Sequence, residues 1–289
     1  MPTEAQMRRQ IDRTRDLQSV VTTMKALAAV SIRQYEAAAR SLDDFDRTVH
    51  LALQAVLRQH SVPTHLVTPR GGRPVAVVLG SDQGMCGRFN EDIYAHAREE
   101  LTHTHPPAGW DVIAVGERVA VLLDQDGWNI VETFRVPASV RMIVSSVQDI
   151  LLVIDSRSEP GEVSLAYNRH TSSASYEPTV RRIYPLDRDW LEPFTREPWP
   201  TNQVPLHTLP LPALLSDLVR QYFMTSLHRA LAHSLAGENA SRLSSMQAAE
   251  KNIEERIHEL TSDYHRERQG TITEELLDII SGFTVLTGR

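Results

Sequence analysis

The residues whose types could do chemistry are concentrated in GSDQGMCGRFN, Gly80 to Asn90, which follows the apolar run VAVVL and precedes EDIYAHAREEL. A glycine-bearing turn between a strand and a helix is where α/β proteins bind phosphate. Glycine lets backbone amides approach an anion, and the helix N-terminus favours negative charge. The spacing fits neither G-x-G-x-x-G nor G-x-x-x-x-G-K-[ST], and no lysine lies within the segment to neutralise a phosphate. A second reading makes it a tight turn, with Gly84 and Gly87 permitting unusual backbone angles and Cys86 serving as a small buried group.

His103 and His105, beside Pro106 and Pro107, could ligate a metal, but no third ligand is near in sequence and a solvated loop accounts for both. Asp124 with Asp126, and Asp187 with Asp189, could act as paired acids, but they stand where loops are expected. No nucleophile, base and orienting acid come together in the sequence, and no cofactor or metal is implied. Near the C-terminus, Arg268, Gln269, Thr273 and Glu275 place long or hydrogen-bonding groups within two helical turns, while Ile272, Leu276 and Ile279 take the packing face. These polar groups read either as a solvated helix face or as a surface for a polar partner.

The elements that must position these residues are legible from periodicity. No Gly or Pro interrupts Thr3 to Val62, and apolar residues recur mostly three and four apart, including Met7, Ile11, Leu17, Met24, Ala28, Ile32, Phe45 and Leu53. That is one face of a long helix or coiled-coil seam over 1–62. Roughly 60 such residues would reach about 90 Å. A second stripe runs from Leu215 to Phe283, with Gly237 and Gly270 as interior weak points, and predicts a helix over 212–289. Two such stripes in one chain bury each other most simply as an antiparallel pair.

Between them, Val75 to Leu79, Trp110 to Val115, Asn129 to Val136, Glu162 to Asn168 and Thr179 to Leu186 read as strands, and Glu91 to Leu101, Glu117 to Gln125 and Ser146 to Ser156 as helices. The alternation predicts a Rossmann-like α/β domain over 74–186 with a largely parallel sheet. Seven prolines between Pro185 and Pro212 make 187–211 an irregular connector. The expected fold is thus mixed α/β: a long antiparallel coiled coil of the terminal helices with an inserted α/β domain.

Composition narrows the function classes. Lys plus Arg number 30 against 37 Asp plus Glu, so the formal charge of -7 argues against nucleic acid as the main partner. Cys86 is the single cysteine among 289 residues, which excludes an intrachain disulfide and suits a reducing compartment. The charged N-terminus lacks the apolar core of a secretory signal, and no run of about 18 apolar residues occurs, so no direct membrane span is expected.

Three stretches together resemble the γ subunit family of F-type ATP synthases. They are DLQSVVTTMKALAAVSIRQ in the first helix, SDQGMCGRFN after a strand, and AGENASRLSSMQAAEKNIEERIHELTSDYHRERQGTITEELLDIISG at the end. They are colinear over nearly the whole chain. The resemblance implies a non-catalytic central shaft whose coiled coil enters a ring of α and β subunits that carry the nucleotide sites. The α/β domain would meet the ε subunit and the ring of c subunits, peripheral at the cytoplasmic face of a bacterial inner membrane. It further implies shaft packing by Met24, Ala28, Ile32, Ile272, Leu276 and Ile279, a central loop built on Ser81, Asp82, Gly84, Cys86 and Gly87, and contact with a β-subunit loop through Arg268, Gln269, Thr273 and Glu275.

Departures from the family pattern are specific. Ala29, Val30 and Ser31 stand where the family usually has Ala-Ser-Lys, Gln83 replaces an arginine, and VPLHTLPLPALL stands where a Tyr- and Glu-bearing segment usually touches the c ring. These changes suggest a divergent form, from a second, dedicated ion-pumping ATPase. The competing enzyme reading is a Rossmann-like nucleotide-binding protein with helical arms, and a third reading is a passive coiled-coil scaffold.

Overall fold

The computed structural model describes residues 4–59, 63–68, 71–157, 161–172, 175–187, 190–192 and 207–287, together with residues 196, 199, 203 and 205. The chain divides into two compact units, one comprising Met1–Leu27 with Leu243–Arg289 and the other Ala28–Arg242. The 187–211 connector, and with it Asp189, falls partly outside the described residues.

Helix α1 spans Glu4–Ser41 and α2 spans Asp43–Leu57. A single helix to Val62 is what the sequence predicts, and the structure corrects it with a break at Leu42. There the Ser41 hydroxyl donates to the Ala38 carbonyl at 2.9 Å, a bond that bends helices. Asp43, Asp44 and Asp46 then supply the acidic first turn that a new helix favours. Leu17 and Phe45, placed in the seam by their spacing, are instead 58% and 46% exposed. A short α3, Thr64–Val67, follows.

In the second unit, β1 (Val75–Leu79), β2 (Asp111–Val115), β3 (Asn129–Phe134), β4 (Val163–Ser172) and β5 (Ser175–Tyr184) form one sheet of order β3-β2-β1-β4-β5. The first four strands are parallel and β5 pairs antiparallel with β4. The helices between strands are α4 (Phe89–Thr102), α5 (Glu117–Gln125) and α6 (Val140–Ser156), followed by α7 (Leu211–Thr287). Gly237 and Gly270 interrupt α7 nowhere.

Strand alternation divides the core between the two faces of the sheet. Val75, Val77, Leu79, Ile113 and Leu165 join residues of α1, α2, α6 and α7 in one buried cluster. Ala76, Val78, Val112, Ala114 and Ala166 join α4 and α5 in the other. A sheet covered on both faces explains why its central strands read as continuous apolar runs. Asp111, at the start of β2, ties strand ends together by accepting from Arg73 Nε (2.9 Å), Asn129 Nδ2 (2.8 Å) and Arg157 Nη1 (3.0 Å). The hairpin of β4 and β5 extends beyond its apolar part. Polar pairs such as Arg169 with Glu177 at 2.6 Å hold these ends, so hydropathy alone leaves them out.

Within the first unit α1 and α7 run antiparallel. The Tyr264 hydroxyl donates to Glu4 Oε1 at 2.9 Å, while Thr22 Oγ1 (3.1 Å) and Lys25 Nζ both donate to the Glu250 carboxylate. Met7, Ile11, Met246 and Leu260 are buried, and Met24 is half-buried. Within the second unit the pairing is again antiparallel, with Arg229 of α7 bonded to Asp43 (3.1 Å) and Asp46 (3.2 Å), and with Ala28 and Ile32 buried.

Burial lowers the His228 and His233 imidazoles below their usual 6.5, and Arg229, His170 and Arg169 lower His233 further while Asp43 opposes. The unfolded chain therefore takes up protons near pH 6.5 while the folded chain resists until lower pH. Stability is intact above that value and is lost as pH falls through the lowered ones. Glu238, whose carboxyl is raised by burial, acts in the opposite sense. The urea midpoint is expected to fall between about pH 7.5 and about pH 5.5, and to fall less in H228Q/H233Q, which leaves Glu238 in place. An identical decline in both proteins would contradict this.

Candidate functional site

The segment Gly80 to Asn90 leaves β1 where strand order reverses, between β1 and β4, which is where open α/β sheets form a ligand crevice. Its backbone is fixed by its own side chains. The Ser81 amide donates to Asn90 Oδ1 at 2.9 Å, Asn90 Nδ2 donates to Ser81 Oγ at 2.8 Å, and Ser81 Oγ donates to the Gln83 carbonyl at 2.8 Å. Asp82 accepts from the Glu117 amide at 3.1 Å and from the Val136 amide at 3.0 Å. The carboxylate thus sits on the first turn of α5 as that helix's anion. Gly116, just before α5, has φ +112, and a Cβ there would lie 2.7 Å from the Ser81 amide nitrogen, so only glycine lets these two turns meet.

Left-handed backbone occurs at Gly87 (φ 58) and at Met85 (φ 60), not at Gly84, which corrects the expectation for that glycine. Cys86 is buried as expected, and burial pushes its thiol pKa up, so it stays protonated.

The chain's own last helix and the ends of β4 and β5 close on this loop. Ser241 Oγ of α7 donates to the Cys86 carbonyl, Asn168 Nδ2 of β4 donates to the Phe89 carbonyl at 2.8 Å, and the Tyr176 hydroxyl of β5 donates to Asp92 at 2.9 Å. Burial first, and then the Asp92 bond, raise the Tyr176 phenol. Gly237 lies flat against this wall, since a Cβ there would be 3.2 Å from Tyr176 Cβ and 3.3 Å from the Asn168 carbonyl oxygen. One residue further, Glu238 accepts from Arg242 Nη2 at 2.6 Å, with side chains only 8% and 12% exposed. Burial raises the Glu238 carboxyl, and Arg242 opposes that rise.

One side of the loop is thus held by α7, and the Ser81, Asp82 and Asn90 side chains are bonded to backbone and to one another, while a hollow of about 240 Å³ remains on the α5 side. The arrangement clamps a helix to a sheet. Ser81, Asp82 and Cys86 come together in it, and Gly84 and Gly87 line the hollow beside it. Sequence reasoning missed Asn168, Tyr176, Gly237, Glu238, Ser241 and Arg242. The signal that could have found them is the small-residue run of α7 from Ala230 to Ser241, which marks close helix packing.

The other candidates resolve locally. His105 packs edge-on against Trp110 at 5.8 Å, and Asp126 binds the Trp128 indole at 3.2 Å and Arg98 at 3.3 Å. Among the described residues, no group of three potential metal ligands comes together.

In the first unit, Arg268, Gln269, Thr273 and Glu275 are all exposed on α7, and the Thr273 hydroxyl donates to the Gln269 carbonyl at 2.8 Å. Ile272, Leu276 and Ile279 do not pack within the chain as expected, being 49%, 53% and 68% exposed. The pairing of Glu4 with Tyr264 explains this, because the first described turn of α1 is already used up there. Their i, i+4, i+7 spacing makes them one apolar face.

The profile of a family described as ATP synthase matches residues 3–286. Curated relatives include the ATP synthase gamma chain of Desulforamulus reducens, 27% identical with 99% of this chain and 100% of that protein covered. The ATP synthase gamma chain of Sinorhizobium fredii is also 27% identical, with the same coverage. Among solved structures, the fold resembles a chain of the Euglena gracilis mitochondrial ATP synthase OSCP/F1/c-ring assembly, with TM-score 0.66, 17% identity, and 98% and 94% of the two chains covered. It also resembles a chain of the rotor of that enzyme, with TM-score 0.63, 16% identity, and 92% and 97% covered.

If Asp82 holds the turns together as described, D82A should lower unfolding free energy by roughly 2–4 kcal/mol, since two amide bonds to a charged acceptor are lost. D82N should cost less. Urea unfolding at neutral pH measures both, and a D82A loss below about 0.5 kcal/mol would contradict the clamp.

Proposed function

The chain belongs to the ATP synthase family, and from that premise we propose that it is the γ subunit, the central-stalk shaft, of an F-type ATP synthase. The observation that carries this reading is the end-to-end match. Relatives named ATP synthase gamma chain are covered along their whole length, with nothing of them left over to supply a different activity. The subunit is non-catalytic, and bond chemistry belongs to the β subunits of the catalytic head.

The exposed surfaces suit that role. Ile272, Leu276 and Ile279 form an apolar stripe that gains by leaving water, and Arg268, Gln269, Thr273 and Glu275 stand on the same two turns. We assign this stretch to the contact with α and β subunits, with the four polar residues meeting a β-subunit loop. Because a shaft surface differs around its circumference, each β subunit meets different groups and its site is biased between open and closed states. The α/β domain is assigned to the ε subunit and the c ring. We assign the subunit a peripheral place at the cytoplasmic face of a bacterial inner membrane, held there through those partners; among the described residues no helix is long and apolar enough to cross a membrane.

A tagged chain purified from native membranes should bring down stoichiometric α, β, ε and c subunits. Placing aspartate at Leu276 and Ile279 should reduce ATP-driven ion pumping at least about five-fold, because two charges enter an apolar contact, while the isolated chain keeps its urea midpoint. Pumping at the unmodified rate in that variant, or a purified chain that arrives without α and β, would overturn the assignment.

A further inference from the structure

The joint between α1 and α2 lies outside the clamp and the exposed stripe. Leu42 keeps nearly helical angles (φ -86, ψ -11), but its amide donates at 3.4 Å to the Ala39 carbonyl, three residues back. The regular four-residue step resumes where the Asp46 amide donates to the Leu42 carbonyl at 2.8 Å. A tightened turn in mid-helix interrupts the backbone ladder and makes a natural hinge.

Two polar contacts straddle this turn. Before it, Glu36 Oε1 of α1 lies 2.9 Å from His170 Nε2 of β4, whose side chain is buried. After it, a single nitrogen of α7, Arg229 Nη2, donates to Asp43 Oδ1 at 3.1 Å and to Asp46 Oδ2 at 3.2 Å. Asp43 and Asp46 stand three apart in the first turn of α2, so their carboxylates share a face and repel unless a cation lies between them. The Arg229 and Asp46 side chains are 27% and 17% exposed, and that shielding from water makes the pair stronger than one on the open surface. His50 also reaches Asp46, at 3.5 Å, but it belongs to α2 itself and cannot set that helix against another element.

We propose that Leu42 is a hinge in the N-terminal helix of the shaft, and that Arg229 is the positioning residue that sets its angle by tying the start of α2 to α7. This rests on the shaft reading. Both α1 and α7 pass from the first unit into the second, so each carries part of any torque. The cross-tie makes the two turn together. Without it α1 lags behind α7, the head meets the shaft over a wider range of angles, and its sites turn over without a matching step.

The test uses the complete complex in inverted membrane vesicles, with ATP-driven membrane potential read by an oxonol dye and ATP hydrolysis measured in parallel. R229Q should lower the initial pumping rate per ATP hydrolysed at least about two-fold, because two carboxylates are left uncompensated. R229K keeps the charge and should recover most of that loss. In the purified full chain, the amides of residues 42–47 should exchange hydrogen at least about ten-fold faster in R229Q, while those of the sheet are unchanged. R220Q removes another ion pair of α7, with Asp155 of α6 at 3.3 Å, and should leave pumping per ATP unaltered. D43N/D46N removes the tie from its other side and should lower the ratio less than R229Q, since neutral amides do not repel. Urea midpoints show which variants fold. Unchanged pumping per ATP in folded R229Q and D43N/D46N, an equal loss in R220Q, or no recovery in R229K would overturn the hinge alone. An unmodified chain that does not assemble with α and β would overturn the shaft reading, and the hinge with it.

Discussion

The close approach of α7 to the end of the sheet is the constraint on which the rest of the second unit depends. Ala230, Ala232, Ser234, Ala236, Ala240 and Ser241 are all buried, and Gly237 has no room for a comfortable Cβ. Small side chains let a helix come near enough for its backbone and short hydroxyls to meet the loops of the sheet. Only at that separation can Ser241 reach the Cys86 carbonyl. The same closeness brings the chain's own helix against the loop at the strand-order reversal, the region where many α/β proteins bind a ligand. The polar residues of that buried stretch follow the same logic, as when Thr225 returns its hydroxyl to the Gln221 and Tyr222 carbonyls of its own helix.

Much of this architecture was readable in the residues. The absence of Gly and Pro, the three-four spacing of apolar positions and the alternation of strand and helix runs located both terminal helices and every strand, because local propensity and burial agree in those segments. Where they diverge, reading fails. The break at Leu42 depends on one serine hydroxyl turning back onto its own helix, an event that periodicity averages over. Leu17 and Phe45 keep the rhythm but face solvent, since a count of spacing cannot tell which of two apolar stripes faces the partner helix.

The central loop was legible as a loop but not as a clamp. Its own residues gave the turn, whereas its function rests on Asn168, Tyr176 and Ser241, each more than 70 positions from its bonding partner. Pairings at such separation leave no local trace. Glu238 and Arg242, spaced i, i+4, look like any surface ion pair of a helix, and only burial distinguishes them.

That distinction bears on how a shaft could hold its register. Apolar contact is non-directional, and a helix gripped only by alanines could slide or rotate at modest cost. The clamp adds groups that are satisfied in one setting alone. If α7 moved one turn along its axis, Ser241 would leave the Cys86 carbonyl and larger side chains would replace Gly237 against Tyr176 and Asn168. The Glu238–Arg242 pair, both on α7, would move with the helix and be carried still paired into surroundings that no longer match its burial. Those penalties rise together over a small displacement, which makes the grip stiff. A rotor that passes torque along a helix needs stiffness of this kind where that helix meets the sheet, and small residues backed by buried hydrogen bonds supply it.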